Sequence, residues 1–152
     1  MPTELFLQLY TKYDRAIQVD VAFFQLCFDH LGFLAMDPGF EVHCEGYRGR
    51  DSYVDATFTN KRLRITVTQE FPRGLPILKV ERTAWPAKRY TNMDLAIAYG
   101  ISNDTVNFEE RFPRCHPLDA LGLEAVRREL HDAVEDRITQ FGRCVRENLD
   151  RF

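Results

Sequence analysis

Between residues 54 and 70, in "VDATFTNKRLRITVTQE", apolar and polar residues alternate on both sides of a short centre. A period of two places successive side chains on opposite faces of a strand, so this pattern predicts an antiparallel hairpin. Its turn is expected at Asn60-Lys61, because asparagine tolerates the positive φ that a type I′ turn needs. A two-residue loop there sets Phe58 opposite Leu63, Ala56 opposite Ile65 and Val54 opposite Val67. These apolar pairs share one face, and a slip of one residue would set apolar against polar in each of them. The other face then carries Asp55, Thr57, Thr59, Arg62, Arg64, Thr66 and Thr68.

Elsewhere the period changes. Leu5, Leu9, Tyr13, Ile17, Val21, Phe24, Phe28 and Leu31 recur every three or four residues, which predicts a helix over residues 3–32 with one apolar stripe. Thr3 suits its start and Gly32 a left-handed cap at its end. A break at Gln18-Val19-Asp20, with Asp20 capping a second helix, is the alternative. "FEVHCEGY", residues 40–47, alternates as a strand with Phe40, Val42 and Cys44 on one face and Glu41, His43 and Glu45 on the other. "RGRD" reads as a loop and "FPRGLP" as a break. "ILKVERTAW" reads as a further strand, and "WPAKRYTN" as irregular. "TNMDLAIAYG" is a short helix capped by Thr91 or Asn92 and stopped at Gly100, and "TVNFEERF" is a candidate fifth strand. From Pro117 onward, Leu123, Val126, Leu130, Val134, Ile138, Phe141, Val145 and Leu149 form a second long helical stripe.

Strands in the middle and helices at both ends predict an α+β fold. An antiparallel meander of four to five strands would lay its apolar face on long N- and C-terminal helices and leave its other face polar. At 152 residues, without a linker, repeat or low-complexity segment, the chain is expected to form a single domain over 1–152.

Composition changes this picture little. Hydrophobic residues make up 45%, aromatic residues 12% and charged residues 28%, with 20 basic against 23 acidic side chains. Arginines sit beside acids nearly everywhere, as in "HDAVEDR", so the clustered cations of a nucleic-acid binder are missing apart from a small patch at Lys61, Arg62 and Arg64. No basic segment followed by an apolar run opens the chain, and no apolar stretch reaches the roughly 18 residues of a membrane span. A cytoplasmic protein with reduced thiols is expected. The cysteines, Cys27, Cys44, Cys115 and Cys144, make no C-x-x-C pair and read as small buried hydrophobes.

Candidate chemistry is sparse. Glu41, His43 and Glu45 project from one strand face and are the types that bind a divalent metal, with Asp55 on the next strand. Solvated polar residues on a wet face would show the same spacing. Cys115-His116 sits beside Pro117, which is better explained as a helix start, because thiol–imidazole pairs are assembled from distant segments. His30 and His131 fall at helix edges. There is no glycine-rich phosphate loop and no nucleophile-elbow motif, so no cofactor and no catalytic residue is assigned. "WPAKRY" differs: Trp85, Lys88, Arg89 and Tyr90, with Arg82 just before them, are types that anchor protein interfaces.

The run "DSYVDATFTNKRLRITVTQEFPRGLPILKV", after a helix ending in "LGF", resembles small bacterial proteins, either standalone domains or immunity proteins that neutralise toxins. The resemblance covers about residues 31–82 and rests on a hairpin of the form A-x-F-x-N-x-x-L-x-I-x-V. The "FPRG" that follows "TVTQE" departs from the acidic-then-Arg-Gly turn of that pattern. It implies action by occlusion, with no catalytic residue carried over. Three classes of function stand. The first is a non-enzymatic binding domain whose contacts are Asp55, Thr57, Arg62, Arg64, Trp85, Lys88, Arg89 and Tyr90, with another protein, such as a toxin, as partner and neither nucleic acid nor membrane. The second is a metal-dependent enzyme or sensor built on Glu41, His43 and Glu45. The third is a homo-oligomeric adaptor.

Overall fold

The computed structural model describes residues 18–36, 39–47, 52–71, 75–104 and 120–152. The expected helix over residues 3–17, the loop at 48–51, the candidate strand at 105–112 and the Cys115-His116-Pro117 run lie outside them, as does the side chain of His131.

The fold is α+β. Helix α1 (Gln18–Leu31) and a single turn α2 (Phe33–Met36) precede strands β1 (Glu41–Tyr47), β2 (Ser52–Thr59), β3 (Leu63–Phe71), β4 (Ile77–Arg82) and β5 (Lys88–Tyr90). Helix α3 (Asn92–Tyr99), the long helix α4 (Ala120–Asn148) and a 3-10 turn (Leu149–Arg151) follow. The strands form one antiparallel sheet in the order β1-β2-β3-β4-β5. Its fifth strand is the "KRY" segment that the sequence left irregular.

The sheet has the two faces that its alternation requires. Val42, Phe58, Ile65, Val80 and Tyr90 make one inward row across the strands, and Cys44, Ala56, Val67 and Leu78 make the next. Phe58, Ile65, Val67, Leu78 and Val80 have no solvent exposure. The same continuous core contains Phe23, Phe28 and Leu31 of α1 and Ile138, Phe141 and Val145 of α4. Each such side chain contributes about 1.5–3 kcal/mol by leaving water. Of the two helices, α1 lies against β2, and α4 packs mainly on α1. Gly142 permits that close approach, since a Cβ there would sit 2.6 Å from the main-chain oxygen of His30.

The hairpin register differs from the sequence expectation. Phe58 pairs with Ile65, Ala56 with Val67 and Val54 with Gln69, an offset of two residues. The turn centre is Lys61-Arg62 rather than Asn60-Lys61. Asn60 instead closes the ladder, its N–H donating to Leu63 O at 3.0 Å. Its side-chain Oδ1 accepts the N–H groups of Arg62 and Leu63 at 2.8 and 2.7 Å. That side-chain turn is asparagine's other local preference, and here it wins over positive φ. A shift of two keeps every residue on its face, so the sidedness holds although the partners change.

Gly32 also departs from expectation. It takes no left-handed conformation, being absent from the positive-φ glycines Gly39 and Gly100. The chain re-enters a helical turn instead, with Gly32 N–H on Phe28 O and Ala35 N–H on Gly32 O. Helix α3 behaves as its sequence indicates. Thr91 and Asp94 form a reciprocal capping box, and Gly100 ends the helix at φ 73°.

Candidate functional site

The strand registers build the outward face row by row. Glu41, Thr59, Arg64, Glu81 and Arg89 lie side by side across the five strands. His43, Thr57, Thr66 and Lys79 form the next row, then Glu45, Asp55, Thr68 and Ile77. The margins of this grid are exposed and its centre is packed by its own neighbours, with Thr66 buried at 8% exposure. Glu81 joins two cations, Lys79 Nζ at 3.4 Å and Arg89 Nε at 3.6 Å.

Asp55 is the most constrained member. Its Oδ1 is buried without a hydrogen-bond partner, while its cross-strand neighbour Thr68 hydrogen-bonds the carboxylate. Burial pushes its pKa above the usual aspartate value. The Thr68 bond opposes that shift, and the nearby Glu45 adds to it more than Glu70 does.

Glu41, His43 and Glu45 share the outward face of β1, as expected, but they run along a strand rather than around a point. Among the described residues, no group of three or more His, Cys, Asp or Glu side chains converges closely enough to hold a metal ion. The thiols Cys27, Cys44 and Cys144 are buried and free. Burial raises all three, Cys44 to about 12 and Cys144 to about 11, which leaves them protonated and unreactive at neutral pH.

The expected contact residues divide into three groups. Asp55, Thr57, Arg64 and Arg89 lie together on the outward face. Trp85 stands at the β4–β5 turn with 92% of its surface exposed. Lys88 is exposed beside it, 4.7 Å over the ring of Tyr90. Tyr90 is half-buried and packs edge-to-face on Phe152 at 5.3 Å, so its ring belongs to the interior side. Arg62 was expected on the wet face and is not there. It occupies the hairpin turn and caps the chain's last turn, donating to the main-chain oxygens of Leu149 and Phe152. Those carbonyls otherwise end a helix without partners, and a cation there is doubly favourable.

The β4–β5 turn is held from both sides. Arg82 Nε donates to Pro86 O at 2.7 Å, and Thr83 N–H donates to Arg62 O at 2.8 Å, which joins this turn to the β2–β3 turn. Beside them, an open groove of about 580 Å³ is lined by Gly39, Glu41, Thr59, Asn60, Lys61 and Arg62. No residue type in the sequence foretold the Arg62 clamp, whose partners lie 87 and 90 residues away.

Compared with family models, curated proteins and solved structures, the chain matches none. No helix among the described residues is long and apolar enough to cross a membrane.

Proposed function

We propose that this chain is a non-enzymatic protein-binding domain. Its outward sheet face and the β4–β5 turn form the contact surface, and the α1 and α4 helices back that face from the core side. One observation carries the reading. A sheet stiffened by a continuous core presents a fixed grid of interleaved charges that ends in an exposed tryptophan. Indole and guanidinium groups on a rigid support are the usual anchors of interfaces, since little side-chain and loop ordering opposes their binding. Occlusion of a cognate toxin is the most concrete form of this role, and it is what the resemblance over residues 31–82 implies.

The test is affinity capture from the native host with the wild-type chain and with a Thr57→Arg/Arg64→Glu variant, followed by mass spectrometry. A stoichiometric partner of unrelated sequence is expected with the wild type. It should disappear with the variant, whose urea unfolding midpoint stays within error. Full retention of that partner by the folded variant would remove the sheet face from the interface.

A further inference from the structure

Trp85 and the open groove are neighbours at the turn end of the sheet. The indole is 92% exposed, so it does not enter the groove of its own chain. The turn that carries it is fastened to the groove's wall. Arg62 lines the groove, and its main-chain oxygen accepts the Thr83 and Ala84 N–H groups at 2.8 and 3.4 Å. Arg82 Nε, on Pro86 O, braces the same turn from β4. Knob and hollow are thus held at a fixed spacing. The groove also offers what an indole requires. At about 580 Å³ it has room for an aromatic side chain. Glu41 and Thr59 bring oxygen acceptors for the indole N–H, and Lys61 brings a cation for its face.

We infer that the turn end is a two-fold interface between copies of this chain, in which Trp85 of each protomer enters the groove of the other. This rests on the binding-domain reading and names a second copy as the partner of its β4–β5 turn, leaving the sheet face to a heterologous protein. A second copy is the occupant because knob and hollow lie side by side on one chain. A two-fold axis between them fills both at once, so the contact closes at a dimer. A foreign ligand in the groove would leave the indole in water, and a foreign cleft for the indole would leave the groove open. Two indoles and the walls that receive them bury about 600–1,000 Å² in all. That is below the standard interface, so a weak dimer is expected, with dissociation in the range of about 10–100 µM.

Trp85 is the chain's single tryptophan, so its fluorescence reports this contact alone. The experiment follows the intact chain from about 1 µM to 1 mM by sedimentation equilibrium and front-face fluorescence, a span that brackets the expected dissociation. A monomer–dimer equilibrium is expected, with the Trp85 emission moving to the blue as the dimer forms. Trp85→Ala should weaken dimerisation about thirtyfold or more, as for an interface hot spot. Thr59→Tyr, whose ring fills the groove and suits a strand, should do the same. Ile97→Ala, at an exposed position on α3, should change neither readout. Circular dichroism of each variant confirms folding. A chain that stays monomeric throughout overturns the inference. So does a dimer that survives Trp85→Ala or Thr59→Tyr, or one that forms without moving the emission. Capture with the Thr57→Arg/Arg64→Glu variant is a separate measurement on the sheet face, so the binding-domain reading stands or falls independently of the dimer.

Discussion

Asp55 is a carboxylate held where water is scarce, with one oxygen unpartnered and Glu45 across the strand pair. Its raised pKa means that the folded chain holds this proton more tightly than the unfolded chain does. The sign of the linkage follows. Above the folded pKa the ionised group weighs against the fold. That penalty lifts as pH falls through the folded pKa, and it is gone below the ordinary value near pH 4. Asp55→Asn should therefore raise stability at pH 7, and its advantage over the wild type should shrink to nothing toward pH 4. Urea titrations at the two pH values measure the difference. An equal gain at both would mean that the carboxylate's charge is not the cause.

At the scale of elements, the β2–β3 hairpin shows what a sequence pattern can and cannot specify. The alternation from Val54 to Val67 assigns every side chain its face, because burying a polar residue or baring an apolar one is costly over the whole strand. It does not choose between registers two residues apart, since both set Phe58 and Ala56 opposite apolar residues, although the observed one faces Val54 with Gln69. That choice falls to the turn, where the Asn60 side chain holds two backbone N–H groups. Asn60→Ala should lower stability by about 1–2 kcal/mol, and Asn60→Asp should keep most of it, since each bond is worth roughly 0.5–1.5 kcal/mol. Urea unfolding midpoints check both. Strand β5 was hidden for a different reason. Three residues carry too little alternation to register, and Lys88-Arg89-Tyr90 becomes a strand only because β4 lies beside it. The candidate site was legible in its residue types, Trp85 and the arginines, but not in its division. That Tyr90 turns inward onto Phe152 and Arg62 toward the chain's last turn depends on contacts between segments far apart in sequence.

For the whole molecule, two arginines tie distant parts of the chain together. Arg62 joins the hairpin turn to the Leu149–Phe152 segment. Arg137, 3% exposed, donates from α4 to the main-chain oxygens of Pro76 and Asp104. Each guanidinium satisfies carbonyls that the fold would otherwise leave without donors. Arg62→Met and Arg137→Met should each destabilise by about 1–3 kcal/mol, the cost of an unmade bond to a buried group. The Arg62 change should also loosen the β4–β5 turn, which hydrogen exchange at Thr83 would detect, because Thr83 N–H is held by Arg62 O. Exchange at Thr83 unaltered in Arg62→Met would show that the turn keeps its shape without the clamp.

Asn92 closes the sheet in an unusual way. Its side-chain oxygen accepts the Leu78 N–H at 3.0 Å, and its amide donates to Ser102 O and Asn103 Oδ1. Position 92 is the one that would face Leu78 if β5 ran on in register, so its side chain takes the place of that rung just where the chain turns into α3. With the ladder phase fixed at Asn60 and Leu63, the peptide groups of β5 that point away from β4 are those of Arg89 alone. A rim one residue wide offers almost nothing for another backbone to zip onto, so copies of this chain have no template there for stacking into a fibril.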